Sequence, residues 1–154
     1  MLTGSSNYII IDPEVESMDK LYTITELAQK LRPFFQQPGV QLVVLFGSQV
    51  SGKVHPGSDL DLGILADKPL DTVQVTGKLM RLTHLNNVDV VDLRRANPLL
   101  AREIVRQGTV LYERDLGTYA RFVSLAVRRY ADTRKLREAQ KQVVNQFLQT
   151  RGVR

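Results

Sequence analysis

Residues 42–65 read LVVLFGSQVSGKVHPGSDLDLGIL, and the fold turns on the residues just after the apolar run at 42–45. Gly47, Gly52 and Lys53 have the spacing of a G-x-x-x-x-G-K-[ST] phosphate loop. Such a loop needs Ser or Thr after the Lys, because that hydroxyl is a Mg²⁺ ligand, and a helix running on from it so that its first amides face the phosphates. Position 54 is Val, and Pro56-Gly57 stops any helix within a turn. Two carboxylates, Asp59 and Asp61, stand close by instead of one. The stretch therefore reads as strand, Gly-Ser turn, strand.

The second strand carries the chemistry. On a strand, residues i and i+2 share a face with Cα atoms about 6.5 to 7 Å apart, so Asp59 and Asp61 project together while Leu60 enters the opposite face. Two convergent carboxylates suit a hard divalent cation, and Mg²⁺ is commonly shared between carboxylates and substrate phosphates. Polar-out alternation alone would also place two Asp at a strand start, but here a Gly-Ser turn lies ten residues upstream. A third carboxylate would come from the run Asn87-Val88-Asp89-Val90-Val91-Asp92-Leu93. Alternation sets Asp89 and Asp92 on opposite faces, so only one joins the site. Asp89, among β-branched residues where an unpaired charge is costly, is the preferred candidate, although charge cost alone does not settle the choice.

Outward from this stretch, Thr23 and Glu26 have capping-box spacing and predict a helix over 24–35, bent at Pro33. Strands are expected over 40–46, 60–65, 88–93 and 109–112. A helix is expected over 72–84, and another between Asn97-Pro98 and Gly108. Residues 118–150 contain neither Gly nor Pro and predict one long helix, or two joined around Asp132-Thr133. In it Phe122, Ala126, Tyr130, Leu136, Val143 and Phe147 form a stripe that reads as a packing face. The order of elements describes an α/β or α+β domain around a small sheet.

At 154 residues the chain is the size of one domain with one core. That domain is expected to span 1–154, with a core over about 24–115 and a helical tail over about 116–150. No apolar run approaches the ~20 residues that span a bilayer, and no secretory signal is visible at the N-terminus. A cytoplasmic location without membrane attachment is expected. The chain has no Cys, which removes disulfides, thiol nucleophiles and Cys-based zinc sites. His55 and His84 have no partner at metal-ligand spacing and read as structural or surface residues. Residues 1–120 hold 12 Lys/Arg against 14 Asp/Glu, whereas 121–154 hold 9 against 2, giving a body near −2 and a tail near +7. Such a tail is either a solvated helix face or a surface for an anionic partner.

Gly47-Ser48, the ten residues 49–58, and Asp59-Leu60-Asp61 together resemble the pattern of the nucleotidyltransferase superfamily. The strand Val-Asp-Val-Val-Asp-Leu and the helix from Asn97-Pro98 leading to Gly-Thr-Val-Leu-Tyr-Glu are similar to its minimal nucleotidyltransferase (MNT) branch, in particular the MntA-like antitoxins paired with HEPN-domain toxins. The similarity covers residues 24–150. It implies a small mixed β-sheet flanked by helices, with a C-terminal helical extension. It further implies that Gly47, Ser48 and Ser58 bind nucleotide, and that Asp59, Asp61 and Asp89 coordinate Mg²⁺, two ions in all. The implied reaction is transfer of AMP from ATP to a tyrosine hydroxyl of a cognate HEPN toxin. Many relatives read Gly-Ser-x-Ala-x-Gly with an Arg before the second Gly; here Val50 and Ser51 stand in that stretch, so a phosphate contact from such an Arg is not expected. Lys53 is a candidate to approach the triphosphate, or a solvated residue beside a turn. Two other functions compete: nucleotidyl transfer to a small hydroxylated molecule of the aminoglycoside type, and a non-catalytic antitoxin or nucleic-acid binder acting by occlusion. Homo- and hetero-oligomers are both compatible with the sequence.

Overall fold

The computed structural model describes residues 22–51 and 58–152. Helix α1 (Ile24–Phe35) starts where the sequence places its capping box. The Thr23 side chain accepts from the Glu26 amide at 3.1 Å, and the Glu26 carboxylate accepts from the Thr23 amide at 2.9 Å. Pro33 lies inside the last turn, where the apolar residues Leu27, Leu31, Phe34 and Phe35 still reach the core.

Four strands follow, β1 (Val40–Phe46), β2 (Leu60–Ala66), β3 (Val88–Asp92) and β4 (Thr109–Glu113). They form one mixed sheet in the order β3-β2-β1-β4. β1 is antiparallel to both β2 and β4, while β2 and β3 are parallel. The parallel pair needs a crossover, and helix α3 (Thr72–Thr83) supplies it, capped by the Asp71 side chain on the Gln74 amide. Helix α4 (Pro98–Gln107) has Asn97 as its N-cap, accepting from the Leu100 amide at 2.9 Å, and Pro at its first position.

Alternation splits the central strand between two cores. Val43 and Leu45 of β1 join Leu60, Leu62 and Ile64 of β2 beneath α1 and α3. Leu42 and Val44 face the other way, onto Ala101 and Ile104 of α4 and onto Phe122 and Ala126 of helix α5 (Thr118–Asp132). Each fully buried Leu or Phe contributes roughly 2 kcal/mol, and both layers together fix the sheet that carries the acidic residues.

Two expectations need correcting. Between β1 and β2 the chain makes a single helical turn, α2 (Ser48–Ser51), which sequence reasoning read only as a turn. The long C-terminal segment divides at Thr133 into α5 and α6 (Arg134–Thr150), the second of the two expected arrangements, but only the first half of its apolar stripe packs. Phe122 and Ala126 are buried, but Leu136, Val143 and Phe147 are 60%, 65% and 53% exposed. The second half of the stripe has no partner within the described residues because α6 extends past the sheet. Among the described residues, no helix is long and apolar enough to cross a membrane.

Candidate active site

Two strands, β2 and β3, deliver the acidic residues to the end of the sheet where β1 leads into the Gly47 turn. β1 ends at Phe46, which pairs with Asp61 near the start of β2. In the parallel neighbour, Asp61 pairs directly with Asp89. Leu60, Leu62 and Val88 are committed to the core under α1 and α3, so alternation turns Asp61 and Asp89 to the opposite face. Asp59, two residues before Asp61, leads into the strand and is exposed.

Gly47 is fixed by two independent constraints. Its φ of +75° lies in the left-handed region, where an L side chain meets its own backbone. A Cβ built on it would also collide with Oδ2 of Asp61 and stand 2.9 Å from its Cγ. The glycine thus lets the turn close directly over the carboxylate. The Val50 and Ser51 amides both donate to the Gly47 carbonyl, at 3.2 and 3.1 Å, which winds α2. Val50 packs on the core beneath α1 and α3, and Gln49 is buried at 4% exposure, so the turn is anchored from within. Ser48 opens this turn and is half-buried, as is Ser58 just ahead of Asp59. Lys53 and His55 lie outside the described residues.

Electrostatics single out Asp61. Burial, followed by the neighbouring charges of Asp89 and Asp59, pushes its carboxyl up from the usual 3.8 to about 6. All three influences disfavour the charged form. The group is an acid held where more negative charge has been collected than the local structure neutralises, and a cation would relieve it. Among the described residues, no three acidic or His side chains already form a finished ion cage. Mg²⁺ does not need one, since it keeps several waters and takes one or two carboxylates plus substrate phosphates. An all-oxygen donor set of Asp59, Asp61 and Asp89 therefore fits Mg²⁺.

The two candidates for third carboxylate are separated by position, and the burial argument that favoured Asp89 is reversed. Asp89 is exposed, while Asp92 is only 6% exposed. Asp92 pairs with Ile64 in the register, three residues further along β3 than Asp89. Its Oδ2 accepts from the Leu70 amide at 3.2 Å and its Oδ1 from the Arg94 amide at 3.0 Å. These bonds occupy it in tying the turn after β3 to the loop before α3. Glu113 plays a similar part elsewhere, accepting from the Tyr119 amide at 2.9 Å in the first turn of α5. His84 ends α3 in a left-handed conformation and is exposed, away from any ligand set among the described residues.

Comparison with known proteins bears on the family and the fold. Residues 29–116 match the family model described as polymerase beta, nucleotidyltransferase. The chain is 29% identical over 148 residues to the protein adenylyltransferase MntA of Aphanizomenon flos-aquae, covering 88% of this chain and 99% of that one. It is 38% identical over 77 residues to the protein adenylyltransferase MntA of Shewanella oneidensis, covering 49% of this chain and 55% of that one. Among solved structures, a toxin–antitoxin with AMP-PNP superposes with a TM-score of 0.64 at 28% identity, over 82% of this chain and 99% of that chain. A tri-AMPylated Shewanella oneidensis HEPN toxin in complex with an MNT antitoxin gives 0.66 at 26% identity, over 79% and 98%.

Proposed function

The chain belongs to the polymerase beta nucleotidyltransferase family, and from that premise we propose that it transfers AMP from ATP to a tyrosine hydroxyl of a HEPN toxin encoded beside it. In this reading it neutralises the toxin in the cytoplasm, as its antitoxin. The observation that carries it is the register of β2 and β3, which sets Asp61 against Asp89 with Asp59 two residues away, and the Gly47 turn that closes over Asp61. The similar proteins named as adenylyltransferases, and the AMPylated toxin bound to an MNT antitoxin, support AMP as the transferred group and a protein as the acceptor.

Asp59, Asp61 and Asp89 would hold two Mg²⁺ ions. Bound there, the metal supplies charge stabilisation for the oxygens around the reacting phosphorus. Gly47, Ser48 and Ser58 bind the nucleotide, with Ser48 holding the outgoing phosphates through its amide and hydroxyl. The acceptor oxygen attacks the α-phosphorus in line, the bond from that phosphorus to the oxygen bridging to the β-phosphate breaks, and pyrophosphate leaves with the electron pair. The hydroxyl proton passes to Asp89, whose exposed position suits it to receive a proton from an incoming macromolecule. Positioning and electrostatics carry most of such a reaction, because the phosphoryl group needs little covalent help.

The test is incubation of the purified chain with α-labelled ATP, Mg²⁺ and the toxin. Label should appear on a toxin tyrosine, and Asp59→Asn combined with Asp61→Asn should abolish it. Neutralisation that survives the double substitution would instead establish occlusion.

A further inference from the structure

Helix α6 is a 17-residue helix with no buried residue. A helix of that length is marginal in water unless it buries an amphipathic face. Leu136, Val143 and Phe147 line one side of it, Val144 and Leu148 widen the stripe, and all five are exposed. Together they present a patch of several hundred Å², the size that marks an interaction site. The helix is not loosely attached at its base. The Tyr130 ring lies between the guanidinium groups of Arg102, at 4.6 Å, and Arg137, at 3.6 Å. Arg137 also donates to the Tyr130 carbonyl at 2.6 Å and to the Thr133 hydroxyl. The elbow thus sets α6 in one direction, projecting its apolar face beyond the sheet.

We propose that this face is the dock for the protein that receives the nucleotide, and that it takes a groove with an apolar floor and an acidic rim. The proposal rests on the reading that the acceptor is a protein. Charge chooses the partner: residues 121–154 carry 9 Lys/Arg against 2 Asp/Glu, with Lys135, Arg137 and Lys141 around the first half of the stripe. Pairing α6 with a second copy would bring two such tails within a Debye length of each other, which costs energy. A lipid surface is disfavoured because the polar positions beside Val143, Val144, Phe147 and Leu148 are mostly the uncharged Gln142, Asn145, Gln146 and Gln149, and the cation that reaches them, Arg151, lies over the Phe147 ring at 4.6 Å instead of flanking the stripe, unlike the cation-lined polar face of a membrane-surface helix. An amphipathic helix read at i, i+7 and i+11 suits a groove on another protein, and the two similar solved structures described above are toxin–antitoxin assemblies.

The experiment is calorimetric titration of the full chain with the toxin encoded beside it, without nucleotide, so that binding is read apart from transfer. Leu136→Glu, Val143→Glu and Phe147→Glu together change only exposed positions, and circular dichroism checks that the helix persists. The triple variant should bind the toxin at least about 100-fold more weakly while binding an ATP analogue as the wild type does. Lys135→Glu with Lys141→Glu should weaken binding about 10-fold and flatten its salt dependence. Toxin binding within about 3-fold of wild type by the triple variant overturns the dock, whether or not AMP is transferred. If toxin binding is lost in the triple variant while the wild type transfers no AMP, the dock stands and the proposed chemistry falls. A wild-type dimer that the triple variant dissociates, or binding to phosphatidylserine vesicles, with toxin binding unchanged in either case, assigns the face to another occupant and overturns the proposal.

Discussion

Replacing Asp61 by Asn should make the metal-free protein more stable while removing its activity. The carboxyl is pushed from 3.8 to about 6, first by burial and then by Asp89 and Asp59. A raised carboxyl pKa means that the unfolded chain ionises first, so ionisation favours unfolding. The penalty is absent below about pH 3.8, grows between 3.8 and 6, and is complete above 6. Its upper limit is about 3 kcal/mol; the group is half-buried, and solvent screening reduces this to about 1–2 kcal/mol. Asn keeps the shape without the charge. In EDTA at pH 7.5 the variant should therefore melt about 3–6 °C higher than wild type, and the gain should shrink towards zero at pH 4. Mg²⁺ should raise the melting temperature of the wild type and leave that of the variant nearly unmoved. A variant less stable than wild type at pH 7.5, or a gain independent of pH, would refute the assignment of stored repulsion to this carboxylate.

Gly47→Ala forces a Cβ into the left-handed region and onto Asp61, and should cost about 2–3 kcal/mol in urea unfolding together with most of the transfer activity. Asp89→Asn and Asp92→Ala should behave oppositely. The first, on an exposed side chain, should leave stability within about 0.5 kcal/mol and remove transfer. The second leaves the Leu70 and Arg94 amides without their acceptor and should cost about 2–3 kcal/mol by denaturant titration. Tyr130→Ala removes the ring held between Arg102 and Arg137, and should speed amide hydrogen exchange throughout α6 while leaving the sheet amides protected.

The strands and helices were legible because local signals and tertiary packing agree: the caps at Thr23 and Asn97, the Pro at the start of α4, and the apolar alternation of β1 all specify what the fold uses. Asp59 and Asp61 were legible for the same reason, since period-two alternation needs no partner to be read. Which of Asp89 and Asp92 stands exposed beside Asp61 was not derivable from the sequence by a burial argument. Asp89 and Asp92 sit in a run of similar residues, and which is covered depends on the β2–β3 register and on the loop before α3, both non-local. Tail packing was misread because helical periodicity reports that a face is apolar, not where its cover lies. Phe122 and Leu136 belong to the same pattern, yet only Phe122 has α4 and the sheet beneath it. The α2 turn went unseen because four residues are too few to show a period.

Comparison of the acidic side chains gives a physical criterion that burial does not. Asp92 and Glu113 are the more deeply covered, at 6% and 9% exposure, but each receives backbone amide hydrogens. A buried acceptor so satisfied is inexpensive to keep and holds loops in place. Asp61 is less covered, and the influences on it are burial and two like charges, none of them a donor. Retaining such a group opposes stability, so its benefit has to come from something bound in the working state. The left-handed glycine above it carries the same implication, because Gly47 yields backbone entropy only to let the turn close on that carboxylate. Unfavourable charge and unfavourable conformation meet at one point of an otherwise locally consistent chain, where a cation and a triphosphate would resolve the first and occupy the space secured by the second.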